Sequence, residues 1–572
     1  MKDPHQRGRR LFLQKSALVS STIIFPMPLF PLTITPDTDD FLQQLRKHND
    51  ERVADYLERQ TIEPGTRGHG CLPNKWGIDY HGGATAMVLY PAAAFVSPES
   101  AYYQDEELLN RIELAIEYLL RTQHSDGTVD LYSTNFHSTP DLGFVIERLG
   151  VAYNILKDAI PDTSALRKLK EFMLKAGDAM TIGGIHTPNH RWIVSMALSQ
   201  MNDLFPNQKY VDRVDEWLYE KIDIDTDGQY TERSTSVYSP LTNLAFITIA
   251  RLLDKPELYE PVRRNLDMSL YYFHPNGEIV TEGSRRQDQY VRALPGRCYF
   301  PYLYMAHHDQ NGEYGATAAF IRGVSTVAQL SGNYPYFVQT PALAEDPPVV
   351  TTMPTSYRKY FPVSELARLR EGEMDASLVG KNHLFFTMMK GEVVVQGIRF
   401  ASAFFGKGQF EGDTIIEKDG GWYMEQKLEG PYYQPYPVDS LPETGIWEDM
   451  PRENRPQSEV QYYHATVHLK QEGSTLKLHV TASGTDHVPF ALEICMRPGG
   501  RFEGVQQHES DPDVHFLKGE EATYTVGESK LTIQNGMHEH TWTELRGAKP
   551  KLEGTSLYLT GYTPIEHTLI LS

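Results

Sequence analysis

Cysteine is scarce in this sequence, because 572 residues contain only Cys71, Cys298 and Cys495. Three cysteines spaced so widely are too few for a disulfide framework or for a metal site built from thiolates. Both are thereby excluded, and the three side chains are expected to be small buried residues.

A long hydrophobic run is also missing. The apolar stretch near the amino terminus is interrupted by Pro26 and Pro28, and only about half of the ~20 apolar residues needed to span a bilayer precede these prolines. Stable membrane insertion is therefore not expected. Arg9 and Arg10 precede the apolar stretch, a pattern typical of twin-arginine export signals. We predict an export signal over residues 1–35 and a protein exported to the periplasm or the cell surface.

Positive charge is in short supply as well. The 54 Lys and Arg residues face 75 Asp and Glu residues, which gives a formal net charge of −21. Such a chain repels polyphosphates and dense polyanions at long range, so nucleic acid is not an expected partner. An acidic substrate would have to be held locally, which suits a site that grips one or a few carboxylates near a chain end.

The rest of the composition is that of a globular protein rich in aromatic residues. Hydrophobic residues make up 40% of the chain and charged residues 23%, with 33 Tyr and 24 Phe. Aromatic rings suit stacking on sugars as well as core packing. A chain of this length is expected to divide into two or three domains.

The first half of the chain has a helical pattern. From about residue 40 to 335, apolar residues recur at spacings of three and four, in eleven or twelve segments separated by short loops. This regular alternation of helical segments and short loops indicates helical hairpins, and six hairpins closed in a ring would bury all of their apolar faces. We predict an (α/α)6-type helical toroid over residues 36–340.

The pattern changes after Pro347 and Pro348. Segments with β-branched and aromatic residues then alternate with Gly, Asp and Lys turns. We predict an antiparallel β-sandwich-like domain over residues 350–572, and the proline-rich stretch before it is interpreted as a linker. The fold class is therefore α+β, in a multidomain chain.

In a ring of helical hairpins the loops at one end converge on a central cleft, so polar clusters at helix starts are candidate site positions. The first cluster, residues 133–141, precedes a strong helix. We take Asn135 and His137 in it as candidate substrate-binding residues. In the alternative interpretation Ser138 or Asp141 caps the helix, and His137 satisfies a loop carbonyl.

The second cluster, Asn189, His190, Arg191 and Trp192, opens another helix. A neutral donor, a titratable base and a fixed cation lie within one turn, beside an aromatic wall. Asn189, His190 and Arg191 are therefore candidate catalytic residues, and Trp192 is a candidate for substrate binding. A helix-capping Asn189 with incidental neighbours is the alternative.

The third cluster runs from Asp227 to Tyr238. Tyr238 follows His190 by about the length of one helical hairpin, and adjacent hairpins of a ring place such loops side by side. Tyr238 is thus a candidate catalytic residue. A buried tyrosine whose hydroxyl is satisfied is the alternative.

The fourth cluster contains the adjacent pair Arg285 and Arg286, followed by Tyr290. Two arginines at an expected helix start oppose the usual preference for acidic residues there, so we expect them to face an anion. A carboxylate in the cleft is one such anion, and Asp288 or another acid of the chain is the other. All three residues are candidates for substrate binding.

Two patterns match parts of metal sites. An Asp-x-Asp-x-Asp-Gly run begins at Asp223 like a calcium loop, but Ser234 stands where the bidentate glutamate should be. His538 and His540 share one face of an expected strand and would hold zinc with a third ligand, or form an ordinary solvent-facing or interface pair. We expect that no cofactor is required, with a structural calcium or zinc ion as the alternative.

The Asn189-His190-Arg191 helix start, the Asp-Gly-x-Tyr-x-Glu-x-Ser run leading to Tyr238 and the all-β second half together resemble the heparinase II/III-like and related alginate-lyase group of polysaccharide lyases. The likeness is one of architecture plus two short motifs, and it covers residues 40–560 loosely. It implies a carbon-oxygen lyase that cleaves a bond at C4 of a uronic acid by β-elimination.

In that group an Asn or His near the first motif binds the uronate carboxylate, and a Tyr from the second acts as acid or as base and acid. The resemblance therefore implies the first role for Asn189 and His190 and the second for Tyr238. Many members follow this tyrosine with a histidine, whereas Ser239 follows here. Which residue removes the proton is left open.

Size and export signal are similar to those of the lyases that remove terminal rhamnose linked α-1,4 to glucuronate on arabinogalactan. The expected partner is an acidic glycan, and the protein is expected to be a monomer.

Two other functions fit the same sequence. A glycoside hydrolase on the toroid would use paired carboxylates, such as Asp141 with Asp227 or Glu232. A non-catalytic glycan-binding protein would use Trp76, Trp192 and Trp422 as stacking platforms.

Overall fold

The computed structural model describes residues 38–349, 352–441 and 443–572. The export signal predicted over residues 1–35 lies outside them. Within the described part of the chain, every helix is too short or too polar to cross a membrane.

The described residues form two compact units. One consists of residues 38–270 and 284–349, and the other of Tyr271–Gly283 and Pro354–Ser572. The first unit is helical and the second is built from strands.

Several helices of the helical unit begin directly after a residue whose side chain caps the helix N-terminus. Side chains of Asp105, Ser138, Thr163 and Asn207 each accept a backbone N–H of the helix that follows, which satisfies a donor that the helix itself leaves unpaired. The helices are α1 (Thr38–Arg59), α2 (His81–Val96), α3 (Glu106–Thr122), α4 (Thr139–Leu156), α5 (Ser164–Ile182), α6 (Pro188–Leu204), α7 (Gln208–Tyr219), α8 (Tyr238–Leu253), α9 (Tyr259–Ser269), α10 (Tyr299–Asp309), α11 (Gly312–Val324), α12 (Val327–Leu330) and α13 (Tyr334–Gln339).

These helices close into a ring with inner and outer members. Helices α2, α4, α6, α8 and α10 follow one another inside, while α3, α5 and α7 pack on their outer side. Phe41 of α1 meets Tyr299 of α10 with ring centroids 5.9 Å apart, which closes the circle. Inner α6 is buried continuously from Asn189 to Met201, whereas outer α7 buries one apolar stripe. The predicted toroid is confirmed.

One small sheet interrupts the helical pattern. Strands β1 (Val129–Leu131) and β2 (Asn135–Ser138) form an antiparallel hairpin directly before α4. The helical period of the sequence does not indicate this hairpin, which carries Asn135 and His137.

The second unit consists of two sheets. Its strands are β3 (Ser356–Phe361), β4 (Leu366–Glu371), β5 (Met374–Val379), β6 (Phe386–Lys390), β7 (Val393–Ser402), β8 (Gly408–Gln409), β9 (Ile416–Lys418), β10 (Gly421–Tyr433), β11 (Gln457–Glu472), β12 (Thr475–Gly484), β13 (Pro489–Met496), β14 (Arg501–Glu503), β15 (Gln506–Gln507), β16 (Val514–Phe516), β17 (Glu521–Val526), β18 (Ser529–Gln534), β19 (Thr555–Tyr562) and β20 (Ile565–Leu571). One sheet has the order β14, β17, β18, β20, β12, β11, β10, β9, and the other has the order β15, β16, β19, β13, β7, β6, β5, β4, β3, with β8 paired to β7. The pairings between these strands are antiparallel except that of β16 with β19.

Inward-facing residues of both sheets share one apolar core. Val467 and Leu478 from one sheet pack in the same cluster as Val395 and Leu492 from the other. The predicted antiparallel β-sandwich is confirmed. Trp422 is 1% exposed in this core, so its proposed role as a stacking platform is wrong.

The segment Tyr271–Gly283 belongs to the β unit although helical sequence flanks it. His274 Nδ1 lies 2.7 Å from the buried Asp375 carboxylate, and Arg497 makes two 2.8 Å bonds to Glu278. These contacts join residues far apart in the chain, so periodicity does not reveal them.

Cys71, Cys298 and Cys495 are free and buried, as the sequence predicts.

Candidate functional site

The candidate site lies at the starts of the inner helices α4, α6 and α8. Residues from two of these starts, Asn189 and Tyr238, line one narrow crevice together with Trp192 and Glu232. The sequence prediction had placed Asn189 and Tyr238 in neighbouring loops of the ring, and the crevice brings them together.

Asn189 lies inside the first turn of α6 and does not cap the helix. Thr187 is the N-cap residue and Pro188 takes the first helical position, where its missing N–H and fixed φ are favourable. Asn189 Nδ2 donates to Glu232 Oε2 at 2.6 Å and lies 3.3 Å from Thr187 Oγ1. The alternative of a capping Asn189 is therefore wrong.

Glu232 is a further polar group of the crevice, which the sequence suggests only as a carboxylate of the alternative glycoside hydrolase. It is 7% exposed and sits in the Asp-Gly-x-Tyr-x-Glu-x-Ser run, which was the available signal. Burial raises the pKa of its carboxyl group, while Arg286 and the Asn189 hydrogen bond lower it. Its Oε1 lies 3.9 Å from Arg286 Nη1.

His190, the next residue of α6, is buried but is not among the residues that line the crevice, and its ring packs edge-on against Phe144 and His186. Burial lowers the pKa of His190 to about 4, with further lowering by His186 and Arg286 and an opposing effect of Asp141. The imidazole is therefore neutral at neutral pH and able to accept a proton.

This low pKa predicts a pH dependence of stability. The pKa of His190 is about 4 in the folded chain against an ordinary value of 6.5, so the unfolded chain binds more protons between these values. The stabilisation is complete above pH 6.5 and is lost as the pH falls towards 4. At 1.36 kcal/mol per unit, the loss amounts to about 3 kcal/mol.

We expect His190→Gln to remove this part of the pH dependence. Chemical denaturation of the wild type and the variant at both ends of the window measures the difference, with the exposed His487→Gln as control. Equal losses of unfolding free energy in wild type and His190→Gln would contradict the assignment.

Arg191 and Trp192 converge on one carboxylate. Arg191 Nη2 lies 2.8 Å from Asp223 Oδ1, and Trp192 Nε1 donates to the same oxygen at 2.9 Å. Arg191 Nη1 also contacts Glu220 at 3.3 Å and the carbonyl oxygen of Lys221 at 3.1 Å. These partners anchor the segment after α7 to the start of α6. Trp192 is 1% exposed, so it forms part of the floor of the crevice and not an open stacking surface.

Arg191→Met should therefore destabilise the fold. Removing one member of a largely buried ion pair leaves Asp223 without its cation, with only the Trp192 hydrogen bond to this oxygen retained, and typically costs about 3–5 kcal/mol. Urea denaturation measures this cost. The exposed pair of Arg59 with Asp55 supplies the control, since Arg59→Met should cost no more than about 1 kcal/mol. An equally small cost for Arg191→Met would show that the pair does not anchor the segment.

Tyr238 opens α8 and is half-buried. Its hydroxyl oxygen accepts a hydrogen bond from the Gln287 amide at 3.1 Å, and the Arg286 guanidinium lies 5.1 Å from its ring centroid. The phenol thus has an exposed amide and a cation as neighbours, unlike the buried Tyr230, whose hydroxyl donates to Asn243.

The loop that carries Arg286 does not start a helix, so that prediction was wrong. Residues 280–294 contain turns and bends and no helix, and the buried Asp288 accepts hydrogen bonds from the hydroxyl groups of Ser234, Ser236 and Ser284. A buried carboxylate tied to three serines fixes the loop in a non-helical course.

The two other candidates on this loop are exposed. Arg285 donates its backbone N–H to the Glu232 carbonyl at 3.2 Å while its side chain is exposed, and Tyr290 is 42% exposed. Both side chains remain candidates for substrate contact.

The first polar cluster of the sequence, residues 133–141, lies near His190. Ser138 caps α4 by accepting the Asp141 N–H, as the alternative interpretation held, and Asn135 Nδ2 donates to Asp141 Oδ2 at 2.8 Å. His137 does not bind a loop carbonyl as that interpretation held, because its Nδ1 lies 2.7 Å from Asp126 Oδ2. Its ring stacks on His124 with centroids 3.8 Å apart.

Residues of both sequence patterns that match parts of metal sites make hydrogen bonds within the protein. Asp225 Oδ1 accepts the backbone N–H groups of Asp227 and Gln229, and His540 Nε2 contacts the Gly561 carbonyl oxygen. His538 packs its ring on Phe516. Among the described residues, no three His, Cys, Asp or Glu side chains are arranged to hold a metal ion.

Comparison with known proteins gives a match in structure alone. No family model and no characterised protein sequence matches the chain. Among solved structures, a Paenibacillus xanthan lyase superposes with a TM-score of 0.62 at 10% identity, over 94% of this chain and 58% of that protein. This chain therefore spans less than two thirds of the length of the xanthan lyase.

Two further lyases superpose over nearly the whole chain. Chondroitin AC lyase of Streptomyces coelicolor A3 gives a TM-score of 0.57 at 13% identity and covers 100% of this chain and 82% of its own length. Heparinase III gives 0.54 at 10% identity, with 99% and 89% covered. The chain shares the fold of these three structures. The resemblance noted from the sequence is thus confirmed at the level of architecture, a helical toroid followed by a β-sandwich.

Proposed function

We propose that the chain is a polysaccharide lyase that cleaves a glycosidic bond at C4 of a uronic acid by β-elimination. The observation that carries the proposal is the shared crevice of Asn189 and Tyr238, with Arg286 beside the phenol. The lyase fold of the chain supports it.

Elimination makes one dominant electrostatic demand. The proton at C5 of a uronate is weakly acidic, because its removal builds negative charge beside an ionised carboxylate. Fixed donors and cations against that carboxylate stabilise the enolate-like transition state, and such preorganised groups make the largest contributions to catalysis. In the proposal the Asn189 amide and the Arg286 or Arg285 guanidinium supply them.

Two groups are available for the proton transfers. In the proposal the C5 proton passes either to Tyr238, which lines the crevice and acts as its phenolate, or to the neutral imidazole of His190, which lies outside the crevice lining. The Tyr238 hydroxyl then protonates the departing oxygen at C4. The Arg286 guanidinium over the Tyr238 ring stabilises negative charge on the phenol during this exchange. Arg191 keeps its bonds to Asp223 and holds Asn189 in place through the first turn of α6.

The favoured substrate is a glucuronate at a chain end. The net charge of −21 disfavours attraction of a long polyanion, while the local cations of the 284–292 loop suit a single carboxylate. Within the proposal, we favour removal of terminal rhamnose linked α-1,4 to glucuronate in arabinogalactan by an exported, monomeric enzyme.

A screen of acidic glycans tests the function. Arabinogalactan, xanthan, chondroitin sulphate and heparan sulfate would each be incubated with the protein, and ultraviolet absorbance of an unsaturated uronate would be followed. A rise with arabinogalactan that disappears after prior removal of its terminal rhamnose is the expected result. Cleavage without unsaturated product would favour a glycoside hydrolase, and tight binding without cleavage would favour a glycan-binding protein.

A further inference from the structure

The contact between Asn189 and Glu232 leaves one oxygen atom of each side chain without a hydrogen bond among the described residues. Asn189 Nδ2 donates to Glu232 Oε2 at 2.6 Å. Asn189 Oδ1 and Glu232 Oε1 are buried and, within the described part of the chain, have no hydrogen-bond partner. Such groups are costly in a folded protein. Both residues line the crevice next to Tyr238, so a bound ligand would be able to satisfy them.

In this arrangement the amide nitrogen of Asn189 is not available to donate a hydrogen bond to a substrate carboxylate. The nitrogen is turned to Glu232 and Thr187, so the atom left over is an oxygen, which accepts hydrogen bonds and repels an anion. Rotation of the Asn189 side-chain amide by about 180° would instead turn its nitrogen towards the bound carboxylate. The oxygen would then face Glu232, which is favourable only when the carboxyl group carries a proton to donate.

We propose that Glu232 is a positioning residue that takes up a proton from solvent when a uronate carboxylate binds, and that its protonated form turns the amide nitrogen of Asn189 towards that carboxylate. The inference rests on the proposed function of the crevice. Proton uptake has a second effect, because a neutral Glu232 no longer holds Arg286 at 3.9 Å as an ion pair. The guanidinium is then available to the substrate.

The surroundings of Glu232 are suited to proton uptake. The charged groups around it are Arg286 on the loop 284–292, Asp223 on the segment after α7 and Asp288. Burial and the two aspartates favour the neutral acid, whereas Arg286 and the Asn189 hydrogen bond favour the carboxylate. An incoming uronate adds a negative charge to this set, which shifts the balance further towards the protonated acid.

Calorimetric binding in two buffers of different ionisation enthalpy tests the proposal. The experiment uses a glucuronate-containing oligosaccharide and the full-length Tyr238→Phe variant, in which the substrate stays intact. We expect uptake of about one proton per bound carboxylate at neutral pH. The double variant Tyr238→Phe with Glu232→Gln should take up none, since a glutamine satisfies either end of the Asn189 amide without titrating.

The double variant should also bind with affinity that is nearly constant between acidic and neutral pH, while the affinity of Tyr238→Phe falls as the pH rises. Glu216→Gln on the exposed surface of α7 serves as the control and should leave proton uptake unchanged. The inference is overturned by equal proton uptake with and without Glu232, or by no uptake in Tyr238→Phe. Proton-coupled binding followed by hydrolysis in the wild type would overturn the lyase proposal alone.

Discussion

Tyr238→Phe is expected to lower the rate of unsaturated-uronate formation by roughly 10²–10⁴-fold, the usual contribution of a positioned general acid or base. The variant removes one oxygen atom and keeps the ring. Arg286 over the ring therefore retains its partner, and only the Gln287 hydrogen bond to the hydroxyl is lost. The initial rate of absorbance increase at saturating substrate measures the effect.

The control for Tyr238→Phe is a tyrosine remote from the crevice. Tyr219, at the end of α7, is 84% exposed, and Tyr219→Phe should leave kcat and KM unchanged. Substrate binding by Tyr238→Phe should remain close to that of the wild type, because the lost group acts mainly in the transition state. A Tyr238→Phe variant with a near-normal rate would show that another residue moves the proton.

Asn189→Ala should produce the second large loss, about 10²–10³-fold in kcat/KM, the usual effect of removing one donor that stabilises developing charge. The variant deletes the amide that faces the uronate carboxylate in the proposal. It also leaves Glu232 without its 2.6 Å partner, which should cost about 1–3 kcal/mol of folding stability. Kinetics and urea denaturation of the same preparation separate the two effects.

Asn202→Ala provides the matched control for Asn189→Ala. Asn202 lies in the last turn of the same helix, where its side chain accepts the Asn207 N–H, and about 20 Å of helix separates it from Asn189. It should lose stability without losing kcat/KM. If Asn189→Ala retained a kcat/KM within about threefold of the wild type, the carboxylate clamp would have to be assigned elsewhere.

The parts of the site that the sequence predicts are those set by local pattern. Thr187 and Pro188 mark the start of α6, so Asn189 falls in its first turn, and hairpin length brings Tyr238 to the next inner helix. The two-part fold follows from the change of period after Pro348, because helices and strands require different spacings of apolar residues.

The parts that the sequence does not predict depend on contacts between distant residues. Asn189 and Glu232 are 43 positions apart, and no local spacing indicates that they meet. The turn conformation around Arg286 is set by Asp288 and by serines from another loop, such as Ser234. Propensity favours a helix there, and the buried hydrogen bonds override it.

In the proposed reaction the glycosidic bond breaks by elimination and no water is consumed. Cleavage of the preferred glycan in ¹⁸O-enriched water, followed by mass spectrometry, distinguishes this reaction from hydrolysis. We predict that the masses of the two fragments add up to that of the substrate, that neither carries the label, and that one holds an unsaturated uronate. Fragments heavier by one labelled water molecule, without a double bond, would contradict the proposed reaction.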